Sequence, residues 1–234
     1  YKNYFDFGFK FQYRDSKSFI HPDFMKSDLK YIKRFQDTWL LDEEWQELIS
    51  YTKEMDFIKV CTPFDENSVE KVIKHGFDIL KIASCSSTDW PLLEKIANHN
   101  LPIIISIGGA SDQEISNINS FLKHKNLTYA MLSCVGLYPT DLSDLNISFL
   151  SELKNRYSDL VVGFSTHEHP NEINAVSVAY GAGARIFEKH VCLPTDAYKK
   201  NLYSVNLEEC DSWLQNLKSA HIAFGSLDKR KKNL

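Results

Sequence analysis

Two lysines interrupt otherwise apolar segments of the sequence and point to a binding site. Lys10 lies in the segment FDFGFKFQ and Lys81 in ILKIAS, both of which have the composition of buried β-strands. A buried ammonium group is costly unless an anion or a hydrogen-bond network compensates it. The alternative is that both lysines lie on the outer surface of a sheet and extend between helices to solvent. Hydroxyl groups near the ends of similar segments favour an anion site; they belong to Thr62, Ser84, Ser106 and Ser165.

Two histidines that end consecutive apolar segments could hold one metal ion. His167 follows the segment GFST, and His190 ends the segment RIFEKH. Side chains alternate between the faces of a strand, so Ser165 shares a face with His167, as Glu188 does with His190. Neighbouring strands are about 5 Å apart, close enough for two imidazoles to bind one ion. Two hydrogen-bonded histidines without a metal are the alternative. His169 is a rival ligand, and Glu188 could either orient a histidine or pair with a lysine.

Short β-rich segments alternate with amphipathic segments, which predicts the elements that position these residues. Seven strands are predicted, at 5–12, 56–62, 79–84, 102–108, 129–134, 160–166 and 185–191. Helices are predicted at 42–55, 66–75, 89–99, 111–124, 145–156, 170–181 and 206–224. Residues that favour helix starts open four of them: Asp42, Asp65, Asp89 and Ser111.

Regular alternation of strand and helix predicts parallel strands, either in an open sheet covered on both faces or in a closed barrel. No glycine-rich dinucleotide-binding motif follows the first strand, which disfavours the open sheet. We therefore predict an α/β fold, a TIM-type (β/α) barrel over residues 1–225 whose first strand is missing from this chain. The active site of such a barrel lies at the C-terminal ends of the strands. Residues 226–234, with the basic run DKRKKN, are predicted to be a tail or linker.

Charge and cysteine content narrow the classes of partner. The formal net charge is −4 and charges of both signs are interspersed, so we expect no nucleic-acid partner. No apolar run approaches the roughly 18 residues that cross a bilayer, so no membrane partner is expected either. Five cysteines, scattered and without metal-type spacing, predict reduced thiols in a cytoplasmic protein.

Eight short motifs follow one another along the chain: KFQ (10–12), TPFD (62–65), KIAS (81–84), WPLLEKIA (90–97), PIIISIGGA (102–110), YPT (138–140), GFSTH (163–167) and FEKH (187–190). Together they resemble the N-acetylneuraminate (sialic acid) synthase family. The similarity extends from about residue 7 to about residue 205. The stretch from Cys61 to Ala97 and the ending FEKHVCLPTD look most like the branch called spore coat polysaccharide biosynthesis protein E.

The resemblance implies a barrel that uses a divalent ion, Mn²⁺ with Mg²⁺ or Co²⁺ as alternatives, to condense phosphoenolpyruvate with a sugar aldehyde. The acceptor would be an N-acyl amino sugar or a related aldose. The product would be a sialic acid-like nonulosonate for surface polysaccharide, with release of phosphate. A homodimer is the assembly that the resemblance suggests.

The resemblance also assigns roles to single residues. Four match contacts to the phosphate of phosphoenolpyruvate: Lys10, Thr62, Lys81 and Ser84. Ser106 and Ser165 match contacts to its carboxylate, and Gln12 and Tyr138 match residues near the sugar. His167 and His190 match the metal ligands. The residues expected to take part in catalysis are Lys10, Lys81, His167 and His190.

Three residues depart from the family pattern on the side of the sugar. Gly136 replaces an asparagine, Thr166 replaces an aspartate, and Asn201 replaces an acidic residue. The family's first strand and its C-terminal antifreeze-like domain are not in this sequence. Two other functions therefore stay open: a barrel aldolase or lyase that forms a Schiff base through Lys81 or Lys189, and a non-catalytic barrel that binds anions but has lost turnover.

Overall fold

The computed structural model describes residues 1–225, and the predicted tail at 226–234 lies outside the described residues. The strands are β1 (Gly8–Tyr13), β2 (Ile58–Pro63), β3 (Ile79–Ile82), β4 (Ile103–Ser106), β5 (Tyr129–Cys134), β6 (Val161–Thr166) and β7 (Ile186–Lys189). The helices are α1 (Lys30–Asp37), α2 (Asp42–Glu54), α3 (Glu66–Lys74), α4 (Trp90–Ala97), α5 (Asp112–His124), α6 (Ser148–Arg156), α7 (Asn174–Gly181) and α8 (Leu207–Phe224). Short 3-10 helices occupy Pro22–Phe24, Ser84–Ser86 and Leu142–Asp144.

All seven predicted strands and all seven predicted helices occur close to their expected positions. Helix α1 was not expected. None of its residues is buried, and no side chain caps its N-terminus at Leu29. A short helix without a buried face or a capping residue gives little signal in a sequence.

Capping residues begin several of the helices as predicted. The carboxylate of Asp65 accepts the backbone N–H of Ser68 at 2.8 Å at the start of α3. Ser111 and Glu114 form a reciprocal capping box at the start of α5. Asp89 caps α4. Asp42 is instead the first helical residue of α2, where its negative charge favours the helix dipole without capping it.

The described residues divide into two compact units. The β1–β4 unit comprises Asp6–Ile105 and Ala110–Tyr129, and the β5–β7 unit comprises Tyr1–Phe5, Ser106–Gly109 and residues 130–225. Ser106, the last residue of β4, thus belongs to the β5–β7 unit.

In the β1–β4 unit the strands are parallel and lie side by side in chain order. Aromatic side chains fill the space between β1 and the neighbouring helix. The ring of Phe11 lies 5.8 Å from that of Trp45 on α2 and 6.0 Å from that of Phe77. These contacts show that α2 covers the face of β1 that carries Phe11.

In the β5–β7 unit the strands are again parallel, and Ser165 of β6 pairs with Glu188 of β7. Phe164 is buried in a cluster with Leu150 of α6 and Ala179 of α7. A second cluster joins α7 to α8 through Tyr180, Trp213 and their neighbours. Parallel strands that alternate with covering helices confirm the predicted α/β class.

Two predictions drawn from composition are also tested by the structure. Within residues 1–225, no helix is both long enough and apolar enough to cross a membrane. All five cysteines are free thiols, as predicted.

Candidate active site

One face of the β1–β4 unit carries the residues that were expected to bind phosphate. Gln12 pairs with Thr62 across β1 and β2, so Lys10, Gln12 and Thr62 share a face. The intervening residue Phe11 points the other way, toward Trp45 of α2. Lys10 therefore lies on the face opposite to α2, which contradicts the alternative in which it extends between sheet and helix.

Lys81 lies on the same face of the next strand and is buried. Cys61 pairs with Leu80, which places Lys81 level with Thr62. Only 2% of Lys81 is exposed, and its ammonium donates to the carbonyl of Ile82 at 2.9 Å. A lysine that reaches solvent along the outer layer is therefore excluded at this position. Ser84 follows, half-buried, as the first residue of a 3-10 helix.

In the β5–β7 unit, Ser165 and Glu188 form a direct contact at the expected strand ends. The Ser165 hydroxyl donates to Glu188 Oε1 at 2.7 Å. Gly163, on the same face of β6, allows this close approach, because a Cβ there would lie 2.5 Å from the carbonyl oxygen of Ile186 on β7. Glu188 was expected either to orient a histidine or to pair with a lysine, and the structure instead gives it the hydroxyl of Ser165 as a partner.

The two histidines that were expected to bind metal lie beside each other. The ring centroids of His167 and His190 are 5.3 Å apart. His167 is buried, and its Nδ1 is 3.0 Å from the carbonyl oxygen of Val135. If Nδ1 donates to that carbonyl, the neutral ring carries its lone pair on Nε2, the form in which histidine binds metal. The rival ligand His169 is exposed, and its Nδ1 accepts the backbone N–H of Asn171.

Two tyrosines complete an aromatic cluster around this histidine pair. Tyr138, which was predicted, has its ring 4.3 Å from that of His167. Tyr203, which was not predicted, has its ring 5.3 Å from that of His190 and 5.1 Å from that of Tyr138. The backbone N–H of Thr140 donates to the carbonyl of His167 at 3.0 Å, which holds the loop with Tyr138 against the end of β6.

Asn201 positions Tyr203 through the backbone. Its Oδ1 accepts the N–H groups of Tyr203 at 3.2 Å and Ser204 at 2.8 Å. The next residue, Val205, donates its N–H to the carbonyl of His190. Asn201, one of the three departures from the family pattern, thus shapes the loop that brings an aromatic ring against His190.

The other two departures leave space or an unsatisfied group. A Cβ built on Gly136 would meet no atom within 4 Å, so open space replaces the family's asparagine side chain. Thr166 is 1% exposed, and its hydroxyl has no hydrogen-bond partner among the described residues. Neither residue reproduces the polar contact that an asparagine or aspartate side chain could make there.

The residue after His167 and the residue before His190 form a buried ion pair. The ammonium of Lys189 is 2.9 Å from Glu168 Oε1, with side chains that are 4% and 1% exposed. Burial lowers the pKa of Lys189, and the Glu168 carboxylate opposes that shift. Each partner is adjacent to one of the histidines, so the pair ties together the chain segments that carry His167 and His190.

Ser106, expected near a carboxylate, is buried at the end of β4. The next residue, Ile107, donates its N–H to the carbonyl of Leu132 on β5. A Cβ on Gly108 would lie 2.7 Å from the carbonyl oxygen of Cys134, so the chain after Ser106 runs close against β5. The β5–β7 unit therefore contains five of the ten predicted site residues: Ser106, Tyr138, Ser165, His167 and His190.

The chain matches one protein family over most of its length. The NeuB family profile matches residues 8–229. The N,N'-diacetyllegionaminic acid synthase of Campylobacter jejuni is 35% identical over 153 residues, which are 63% of this chain and 44% of that protein. The chain spans 63% of the length of a curated relative from Methanocaldococcus jannaschii and 40% of the length of one from Drosophila melanogaster, less than two thirds in each case.

Solved structures share the fold over almost the whole chain. A candidate spore coat polysaccharide biosynthesis protein E from Chromobacterium violaceum has 42% identity and a TM-score of 0.92, covering 98% of this chain and 68% of that one. The sialic acid synthetase of Leptospira borgpetersenii, solved with citrate, has 26% identity and a TM-score of 0.83, covering 96% and 76%. These likenesses confirm the predicted barrel-type fold class and the resemblance drawn from the motifs.

Proposed function

The chain belongs to the NeuB family, and on that premise we propose that it condenses phosphoenolpyruvate with the aldehyde of an N-acyl amino sugar or related aldose. The product would be a nonulosonate for surface polysaccharide. The observation that carries the proposal is the pair of imidazoles, His167 and His190, placed side by side next to the Ser165–Glu188 contact. The free cysteines fit a cytoplasmic enzyme.

Phosphoenolpyruvate would be bound by the polar face of the β1–β4 unit. The cationic groups of Lys10 and Lys81 and the hydroxyl of Thr62 share that face. A phosphate dianion compensates lysine charge, and a charged hydrogen bond contributes about 1.5–3 kcal/mol. Ser84 extends the same donor set. Ser106 and Ser165, which belong to the β5–β7 unit, stay predictions for the carboxylate, and in the structure the Ser165 hydroxyl donates to Glu188.

The histidine pair fits a catalytic divalent ion. Two imidazoles can ligate it, and the described residues contain no group of three or more His, Cys, Asp or Glu side chains that could hold a metal ion, so the two histidines would be its only ligands of these types. A site with few protein ligands leaves positions for water and substrate, as catalytic sites do. Held by His167 and His190, a divalent ion such as Mn²⁺ would polarise the acceptor carbonyl as a Lewis acid.

The remaining residues would orient the reactants, one of which is water. The enol carbon of phosphoenolpyruvate forms a bond to the aldehyde carbon, whose oxygen takes a proton and becomes a hydroxyl. Water adds to the resulting oxocarbenium carbon, and the C–O bond to phosphate breaks to leave a keto acid and inorganic phosphate. Tyr138 and Gln12 are assigned to the sugar. Glu188, hydrogen-bonded to Ser165, is a carboxylate available to accept a proton during water addition.

The Schiff-base alternative is disfavoured for Lys189. A lysine nucleophile must be neutral and reach the substrate carbonyl. The ammonium of Lys189 instead contacts both the carboxylate and the main-chain carbonyl of Glu168, and Lys189 alternates with Glu188 to the other face of β7. Borohydride trapping with a keto acid would test Lys81, for which we expect no adduct.

The direct test measures phosphate release from phosphoenolpyruvate with Mn²⁺, screened over N-acetylmannosamine, related amino sugars and aldose phosphates. We expect release that depends on both the acceptor and the ion. Lys81→Met should abolish it. The matched control is Lys59→Met, because Lys59 alternates with Val60 to the other face of β2 and its ammonium contacts Asp78.

Acceptor-dependent release that survives Lys81→Met would contradict the assignment of that lysine. No release with any acceptor, together with retained binding of phosphoenolpyruvate, would favour the non-catalytic anion-binding barrel.

A further inference from the structure

A polar cavity lies in the β1–β4 unit at the end of β1. Its volume is about 240 Å³. It is lined by residues at and just after the end of β1, by residues between Phe35 and Leu41, by Trp45 of α2 and by Lys71 of α3. Ligand pockets for larger molecules usually have about 300–1,000 Å³. The cavity is therefore suited to a ligand no larger than a monosaccharide derivative.

Two of the residues that line this cavity each carry a buried N–H donor without a hydrogen-bond partner among the described residues. The donors are Nε of Arg14 and Nε1 of Trp39. A buried donor without an acceptor costs about 1–3 kcal/mol. Because both donors belong to residues of one cavity, a ligand with acceptor oxygens bound there could satisfy them.

The guanidinium of Arg14 is held in place by aromatic rings. Its Cζ lies 4.3 Å from the ring centroid of Phe64 and 4.5 Å from that of Phe35, and one Nη donates to the amide oxygen of Gln12 at 2.8 Å. Within residues 1–225 no carboxylate forms an ion pair with Arg14, and burial lowers its pKa. A rigid, uncompensated guanidinium is well suited to bind an oxyanion.

The charge of the lining supports the same ligand class. The side chains that line the cavity include the cations Arg14 and Lys71 and no carboxylate. Lys71 is ion-paired at 3.2 Å with Asp15, which lies outside the lining, so the uncompensated charge comes from Arg14. The indole rings of Trp39 and Trp45 offer apolar surface of the kind that packs against a sugar ring.

We propose that this cavity is a binding site for a small organic oxyanion, a phosphate ester or a carboxylate, bound by Arg14 and Trp39. The cavity adjoins the face that carries Lys10 and Lys81, because Gln12 of that face contacts Arg14 and lines the cavity. It does not depend on the proposed condensation. A protein without turnover would still have it.

The test is isothermal titration of the protein with inorganic phosphate, acetate, glucose 6-phosphate and glucose. All titrations use a Lys81→Met background, so that phosphate binding at the proposed phosphoenolpyruvate site does not contribute. Arg14→Met removes the guanidinium, and Trp39→Phe removes only the indole N–H from a retained ring. Lys33→Met is the control, because Lys33 is an exposed cation of α1 that pairs with Asp28 and does not line the cavity.

We expect Arg14→Met and Trp39→Phe each to weaken binding of phosphate or acetate about tenfold or more, as loss of a hydrogen bond to a charged group predicts. Lys33→Met should change it less than twofold. Preference for phosphate over acetate would identify an ester as the source, and tighter binding of glucose 6-phosphate than of phosphate would show that the rings contact a sugar.

Equal affinities in the Lys81→Met protein with and without the Arg14→Met or Trp39→Phe change would overturn the proposal, as would binding of glucose alone. Failure to bind any of the four probes would also overturn it, because solvent would then be the only partner of the two donors. If Arg14→Met does not fold, as judged by circular dichroism, the conservative Trp39→Phe change decides alone.

Discussion

Replacement of Lys189 alone should destabilise the protein far more than replacement of both members of its ion pair. The side chains of Lys189 and Glu168 are 4% and 1% exposed and meet at 2.9 Å. Removal of one partner leaves an uncompensated buried charge, which costs about 3–5 kcal/mol. Replacement of both with apolar residues is commonly neutral or stabilising by about 1–4 kcal/mol.

The structure gives a reason to expect the favourable end of that range for the double change. Glu168 Oε2 has no hydrogen-bond partner among the described residues, so the pair is incompletely satisfied. We expect Lys189→Met to lower the free energy of unfolding by about 3–5 kcal/mol. The double variant Glu168→Leu with Lys189→Met should be at least as stable as the wild type.

The measurement is urea unfolding at pH 7, followed by tryptophan fluorescence. Lys33→Met is the control, because Lys33 pairs with Asp28 at the surface, with 59% and 94% of the side chains exposed. Exposed pairs contribute about 0–1 kcal/mol. A Lys189→Met protein within about 1 kcal/mol of wild type, or a double variant as unstable as the single one, would refute the reasoning.

Further predictions concern packing and pH. Gly163→Ala should lower the free energy of unfolding by about 1–3 kcal/mol or more, because the new Cβ would overlap the backbone of Ile186. Gly181→Ala, at the end of α7, should be neutral or stabilising, because its Cβ would meet no atom within 4 Å. Thermal melts of the two variants compare these effects. Burial lowers the pKa of His75 from 6.5, so the folded protein binds a proton there less readily than the unfolded chain does. The stability that His75 contributes is therefore complete above about pH 6.5 and falls as the pH drops toward the folded pKa. His75→Phe should flatten this decline in urea unfolding at pH 5 to 7.5, and an unchanged slope would contradict the prediction.

Much of the fold was predictable because hydrophobic periodicity and capping residues mark strands and helices directly. The alternation of side chains along β6 and β7 also placed Ser165, His167, Glu188 and His190 on shared faces, as observed. Helix α1 could not be found in the same way, since it buries no residue. The connection that carries Trp39 nonetheless begins directly after this helix.

Other parts of the site depend on tertiary contacts that no local pattern reveals. Tyr203 lies in a loop after β7, and only the turn held by Asn201 brings it against His190. Lys189 is the last residue of β7, and Glu168 lies two residues after the end of β6. Nothing in their spacing along the sequence indicates that they pair. Long-range pairs of this kind follow from strand register, which the sequence does not specify residue by residue.

His167 and His190 are proposed to bind one divalent ion, and Mn²⁺ binding measured by electron paramagnetic resonance tests this most directly. We predict one ion per chain in the wild-type protein. His167→Gln and His190→Gln should each weaken binding about tenfold or more, as loss of one of two imidazole ligands requires. His169→Gln, at an exposed neighbouring histidine, should bind as the wild type does. Wild-type affinity in either of the first two variants, or no bound ion in the wild type, would contradict the claim.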